Sequence, residues 1–448
     1  MRAKAALALL VAALAAVPGA SAYRNPTRGA AVILQIPGMH RAEVRRNVVY
    51  HGAPRLRLDV YRPRGARGRL PAVLLGGPAR RSGQAVGWAQ LLSARGLAAV
   101  TADLRSERDV RSAIAYVRAH SRGLGIDAGR LCTLGFSSQA AERLLGATTR
   151  QTTGMRCAVV YYGSLDVDPT QVPPLLAVKA QRDAASVNQS IDRFQADSQE
   201  HHADVRVITA PGGHGFDVGR PTKRGRAVVK QTLRFLEARL ARPLRVFETC
   251  ATRAERRSAL HFFTSEDLPI VGVVVGSGQR GVVLAHASDE DLCSWLPYAR
   301  QLAANGHRVL AFDSAPGVRV DLEIAAAVEA MRRTGSEHVI AGGASIGATG
   351  ALIGSASLPS QPAAVVSLSA PASYGPLRAL QAVRRLHAPV FFAASEEDQP
   401  YANDAREMYA VSPAGAKRLE ILPGAVHGER MLEDAAFRAR VMAFIAAH

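Results

Sequence analysis

Three residue types able to perform nucleophilic catalysis recur in the same order in each half of the chain. A serine sits in a turn of small residues, a carboxylate ends an apolar run, and a histidine follows in a short loop. In the second half these are Ser345, inside Gly343-Ala344-Ser345-Ile346-Gly347, then Asp398 and His427. In the first half they are Ser137, inside Gly135-Phe136-Ser137-Ser138-Gln139, then Asp183 and His214. The acid-to-histidine interval is 31 residues in the first half and 29 in the second. A serine hydroxyl is a weak nucleophile until a base takes its proton. The histidine would be that base, and the carboxylate would fix its tautomer and stabilise the imidazolium. Ser138 is a lesser candidate beside Ser137, and Glu396 and Glu397 are lesser candidates beside Asp398. Each histidine alone reads as an exposed loop residue. Three roles recurring twice in order argue for catalysis.

The elements that must position these residues also repeat. Residues 71–79 and 281–287 are apolar runs ending in small residues, as buried parallel strands do. Residues 91–103 and 301–313 each give a helix end, a glycine stop and a strand closing on aspartate. Helical stretches follow at Val110–His120 and Leu322–Arg333, and then the strands leading to Ser137 and Ser345. Strands alternating with helices predict a parallel sheet covered on both faces. Two such units predict two α/β domains, with the boundary near Arg242–Pro269 after a helix over Ala227–Leu240. The expected division is 1–22 as a leader, 23–243 as the first domain, 244–268 as linker and edge strands, and 269–448 as the second domain. Residues 23–64, with the alternation at 56–61, predict antiparallel edge strands.

On the serine turns and the strand–turn–helix pattern around them, each half resembles the α/β-hydrolase fold. The first half is most similar to the dienelactone hydrolase and esterase-lipase branch, and the resemblance spans most of residues 45–448. It implies two tandem α/β-hydrolase domains, each a mostly parallel sheet with helices on both faces. It also implies the chain order serine, aspartate, histidine, which both halves follow. The activity implied is that of a serine hydrolase, most simply a carboxylesterase acting through an acyl-enzyme. An oxyanion hole needs two backbone N–H donors. They would be Ile346 and Ala287 in the second half, and Ser138 and Ala79 in the first.

The first half departs from the pattern twice. Gln139 stands where the second glycine belongs, and Pro78 aligns with Ala287 but has no N–H to donate. The second half is therefore the more secure site, and the first could be a retired one that serves binding or packing. The short serine-to-acid intervals leave little room for a cap, so both sites are expected to be open. Tyr161, Tyr162 and Tyr374 follow the strand after each serine turn and could line the pockets, though any single one reads first as core or rim packing. Rival readings are a peptidase or acyltransferase with the same triads, or a cell-envelope binding protein with one or both sites inactive.

The 448 residues are 48% hydrophobic and 21% charged, a globular balance rather than a disordered one. Aromatics are 5% with two Trp, too few for a nucleic acid binder built on stacking. The formal charge of +19 comes mostly from scattered Arg rather than one basic run. It suggests an anionic cell-envelope surface as a partner besides a small ester or acyl substrate, and no nucleic acid. No G-x-G-x-x-G follows the first strand, no Walker loop is present and no metal-ligand spacing occurs, so no cofactor and no metal are expected. Residues 1–22 carry Arg2 and Lys4, an apolar run and the small-residue site Ala20-Ser21-Ala22. They read as a secretory signal cleaved after Ala22, implying a secreted or periplasmic protein. Cys132, Cys157, Cys250 and Cys293 allow three pairings. Pairing within each half is the simplest, with a reduced, buried Cys132 as the alternative.

Overall fold

Apolar residues in the strands alternate between two buried faces. In the strand Leu70–Gly76, Val73 and Leu75 pack on one side and Ala72 and Leu74 on the other. All four are buried, which requires helices on both sides of the sheet. The computed structural model describes residues 31–448, apart from 78, 150–153, 244, 247, 248 and 315–318. The segment read as a signal, 1–22, and Pro78 lie outside the described residues.

The first sheet comprises β1 (Glu43–His51), β2 (Leu56–Arg62), β3 (Leu70–Gly76), β4 (Ala98–Ala102), β5 (Ile126–Phe136), β6 (Cys157–Tyr161), β7 (Leu175–Ala180) and β8 (Val205–Ala210). The second comprises β9 (Ala259–Phe263), β10 (Pro269–Val275), β11 (Arg280–Ala285), β12 (His307–Phe312), β13 (His338–Ala344) and β14 (Ala364–Leu368). A small hairpin, β15 (Ser373–Tyr374) and β16 (Leu377–Arg378), comes next. The second sheet then ends with β17 (Val390–Ser395) and β18 (Lys417–Leu422).

The spatial orders are β1-β2-β4-β3-β5-β6-β7-β8 and β9-β10-β12-β11-β13-β14-β17-β18. Strand for strand, the second sheet repeats the first. In each, the two leading strands are antiparallel to each other, and the second of them is antiparallel to its inner neighbour. Every later pair is parallel. The segment expected as linker and edge strands contains β9, so the second sheet begins before residue 269.

Helices cover both faces of each sheet. On the first, Gly83–Ala94 and Lys223–Leu240 pack on one face, through Trp88, Leu92, Val229 and Leu236. Glu107–Ala119, Ser138–Ala147 and Ala185–Glu200 pack on the other. On the second, Leu296–Ala304 and Ala435–Ala447 oppose Val320–Arg333, Ile346–Ser357 and Tyr401–Val411. Each fully buried Leu or Val on these faces contributes roughly 1.5–3 kcal/mol.

The disulfides stay within each half. Cys132 and Cys157 occupy paired positions on β5 and β6, with Cα atoms 4.7 Å apart. Cys250 joins Cys293, tying the segment before β9 to the loop after β11. The halves meet through polar and cation–π contacts. Arg206 donates to Ser265 O at 2.6 Å and pairs with Asp267 at 3.0 Å, and the Arg239 guanidinium lies 3.8 Å from the Phe263 ring centre. Among the described residues no helix is long and apolar enough to cross a membrane.

Candidate active site

Each sheet delivers its serine at the end of the fifth strand in chain order, where the chain turns sharply into a helix. β13 ends at Ala344, and the helix Ile346–Ser357 begins one residue after Ser345. Ser345 has φ 51° and ψ −120°, a left-handed conformation that a serine adopts only when its surroundings impose it. Its N–H donates to Leu368 O at 2.9 Å, anchoring the turn to β14. The flanking glycines are required by close approach. A Cβ on Gly343 would stand 2.4 Å from the Gly347 carbonyl carbon, and one on Gly347 would stand 2.4 Å from Ala285 O. That same approach brings the loop after β11, with the buried Ala287, to the helix N-terminus. Ile346 is the first helical residue, so its N–H has no intrahelical acceptor.

The acid and histidine come from loops beyond β17 and β18. His427 Nδ1 lies 2.7 Å from Asp398 Oδ2. Glu396 instead pairs with Arg406, and Glu397 is exposed, so Asp398 is the one of the three acids that meets His427. Two serines hold the histidine loop. Ser395 Oγ donates to Val426 O at 2.6 Å, and Ser369 Oγ accepts the Gly428 N–H at 3.0 Å. Gly428 in turn lies against Ala344: a Cβ on it would be 3.2 Å from the Ala344 Cβ. The residue after the histidine therefore abuts the residue before the serine. The Tyr401 ring packs 4.5 Å from that of His427.

The first half builds the same arrangement with one difference. Ser137 follows β5 and precedes the helix Ser138–Ala147, and its N–H donates to Tyr161 O at 2.9 Å, as Ser345 does to Leu368. His214 Nδ1 lies 3.0 Å from Asp183 Oδ2 and 3.2 Å from Oδ1. Asp183 also accepts the Ala184 N–H at 2.8 Å. Ser138 is occupied elsewhere, its hydroxyl bonded to the Ser164 N–H at 3.0 Å and to the Ser164 hydroxyl at 2.6 Å. The serine at the strand-to-helix turn, equivalent in place to Ser345, is thus Ser137. The difference lies at the turn, where Ser137 has φ 71° but ψ 161°. Gln139 cannot take the place of Gly347 against a strand carbonyl. The chain leaves the serine at another angle, and Gln139 is exposed at the rim of a cavity.

That cavity has a volume of about 630 Å³, and Ser137, His214 and Ala79 line it. Its wall is cationic. Arg105 and Arg143 line it without an ion-pair partner among the described residues, and Arg143 donates to Leu104 O and Gln139 Oε1. Arg80 also lines it, but it is paired with Asp59 at 2.6 Å and Asp103 at 3.2 Å. Burial alone would raise Asp59; the Arg81, Asn47 and Arg80 donors outweigh burial and hold it below the usual carboxylate value.

Tyr162 meets both expectations for the tyrosines, core packing and pocket lining. Tyr161 is core, its hydroxyl 2.7 Å from Thr232 Oγ1. Tyr162 is equally buried yet lines the cavity, with its ring 4.4 Å from His214. Its hydroxyl donates to Asp217 Oδ1 at 2.6 Å and accepts from Gln84 Nε2 at 2.5 Å. Asp217 Oδ2 accepts from Trp88 Nε1 at 2.8 Å and Gln84 at 2.9 Å. Burial raises this carboxyl above its ordinary value despite its three donors. Sequence reasoning missed Gln84, Asp217 and Ser369; the one available signal was Asp217 following His214 by a few positions. Tyr374 is exposed on β15. Among the described residues, Asp197, Glu200 and His201 group as potential metal ligands at the end of the helix Ala185–Glu200, apart from the elements that carry the serines, aspartates and histidines above.

No family model matches the chain, and no curated protein does. Solved structures do. The chain is similar to esterase 2 of Thermogutta terrifontis phosphoramylated by tabun, at 18% identity and TM-score 0.36, over 45% of this chain and 92% of that one. The apo form of the same esterase matches at 19% identity and TM-score 0.35, over 46% and 93%. A putative dienelactone hydrolase from Klebsiella pneumoniae matches at 14% identity and TM-score 0.38, over 43% and 96%. The fold itself is read from the paired strand orders and from the serine turn that closes β5 and β13. Two α/β-hydrolase folds lie in series along this chain.

Proposed function

We propose that the protein is a serine hydrolase that cleaves carboxylic esters through an acyl-enzyme, with a centre in each half and the more regular one in the second. The observation that carries this reading is that both histidines engage a carboxylate through Nδ1, on loops beside a serine held at positive φ. With Nδ1 committed as donor, Nε2 is the basic nitrogen. Ser345 Oγ attacks the ester carbonyl carbon as its proton passes to His427 Nε2. The oxyanion is stabilised by the N–H groups of Ile346 and Ala287 at the helix N-terminus. The intermediate collapses, the C–O bond to the alcohol breaks, and the histidine returns the proton to the leaving oxygen. Water, deprotonated by the same histidine, then releases the acid. In the first half Ser137, His214 and Asp183 take these roles, with Ser138 and Ala79 as the amides. The sequence of residues 1–22 supports export, so the substrate is sought outside the cytoplasm.

The test is hydrolysis of p-nitrophenyl esters from acetate to palmitate by residues 23–448, beside Ser137→Ala, Ser345→Ala and the double variant. Each single variant is expected to keep part of the activity, and the double variant none. A wild type inert on every ester, and unlabelled by a fluorophosphonate, would sink the reading and favour an envelope-binding protein, for which the strong positive charge is the supporting observation. Faster turnover of amides, or transfer to an added alcohol, would move the assignment to a peptidase or acyltransferase.

A further inference from the structure

The two halves enclose a cleft of about 350 Å³ between them, with neither Ser137 nor Ser345 in its lining. Arg156, Arg239 and Arg242 reach it from the first half and Arg333 from the second. Asp204 is the one carboxylate in its lining. Arg239 is 8% exposed and is held between aromatic rings, 3.8 Å from the centre of Phe263 and 4.9 Å from that of Phe235. Its Nη2 donates to Asp204 at 3.2 Å, while Nε and Nη1 are buried with no hydrogen-bond partner among the described residues. Arg156 donates Nε to Gly129 O at 3.1 Å. Among the described residues, Arg156, Arg242 and Arg333 form no ion pair. The remaining wall is mainly apolar, through Leu260, Phe262 and Ile270, with His261 and Thr334 also on it.

Like charges gathered in one cleft repel one another, most at the buried Arg239 and the half-buried Arg333 and less at Arg156 and Arg242, which are exposed and screened by water. Burial lowers Arg239; the opposing pull of Asp204 and Asp267 exceeds the smaller push of Arg333 and Arg206. Burial, and then the Arg156 guanidinium, lower His261 on the same wall. Asp204, the one carboxylate among the described lining residues, is bonded to Arg239 and leaves Arg156, Arg242 and Arg333 without an ion pair. A multivalent oxyanion would offset their charge, and guanidinium forks match the oxygens of a phosphate. We infer that this cleft between the halves is a binding site for a phosphate-type anion, bridging Arg156 and Arg242 of one half to Arg333 of the other. Its size admits a phosphate carrying a small organic group against the apolar wall. The inference stands on the cleft alone and does not rest on the esterase reading.

The test is calorimetric titration of the full chain with pyrophosphate at constant ionic strength, with thermal melts alongside. Saturable one-to-one binding is expected, weakening about tenfold or more for each arginine removed. The wild-type melting temperature should rise with pyrophosphate, as for any ligand bound only by the folded state. Arg242→Gln/Arg333→Gln should lose both effects and, without the anion, melt no lower than wild type, because repulsion has been relieved. Arg156→Gln/Arg242→Gln, which alters only exposed positions, serves if the first pair fails to fold. Unchanged affinity in a folded variant would place binding elsewhere on the cationic surface and overturn the inference. So would the absence of saturable binding to wild type.

Discussion

A Cβ on Gly347 would stand 2.4 Å from the carbonyl oxygen of Ala285, so the helix after Ser345 can approach β11 only through glycine. Gly347→Ala must therefore push the helix start away from the strand that ends beside Ala287. Overpacking of this kind costs on the order of 1–3 kcal/mol. In a Ser137→Ala background, Gly347→Ala should abolish labelling of Ser345 by a fluorophosphonate while circular dichroism still reports a folded chain. Full labelling would show that the turn tolerates the shift.

Ser369 does in the second half what a hydrogen bond to the histidine loop must do: its hydroxyl accepts the N–H of Gly428. Ser369→Ala leaves a buried amide without its acceptor, a loss on the order of 1 kcal/mol that should appear as about a fivefold to tenfold fall in kcat. KM should hardly move, since Ser369 acts through His427. Steady-state kinetics in the Ser137→Ala background separate the two constants.

Asp217 makes the first half sensitive to pH. Its carboxyl is raised in the folded chain by burial, so the folded state holds the proton more firmly than the unfolded state. The stability it contributes is present at low pH and is lost as pH rises from the ordinary carboxyl value through the raised one. Asp217→Asn should flatten that dependence and raise stability at neutral pH. Trp88 donates to this carboxylate and the only other tryptophan is Trp295. Fluorescence melts in a Trp295→Phe background, between about pH 4 and pH 8, read the first half directly. Parallel curves for the two proteins would contradict the account.

The cavity beside Ser137 should prefer negatively charged esters, because Arg105 and Arg143 line it without an ion-pair partner among the described residues. In a Ser345→Ala background, Arg143→Gln should raise KM about tenfold for an ester bearing a carboxylate and leave a neutral ester nearly unchanged. Equal changes for both esters would mean that the arginine shapes the site rather than reading charge.

What could be read from the amino acids was local. An apolar run, a small-residue turn and a helix are specified by near neighbours, and the same order of serine, aspartate and histidine written twice announced two units. Both sheets have the mixed order that such units need, with antiparallel strands leading. Gln139 announced a departure, and it appears as a different ψ at Ser137 from that at Ser345.

What only the tertiary structure decided were pairings between distant segments. Asp398 rather than Glu396 meets His427, because Glu396 pairs with Arg406 and Asp398 lies on the turn beyond it. Ser138 is drawn aside by Ser164, and Tyr162 is joined to Gln84 and Asp217, and through Asp217 to Trp88, from two other stretches of chain. Cys132 meets Cys157 because β5 and β6 are neighbours in register. The arginine cleft exists only where two folded halves meet. Local propensity sets each element, but side-chain partners depend on strand order and helix placement, which arise when the whole chain packs at once.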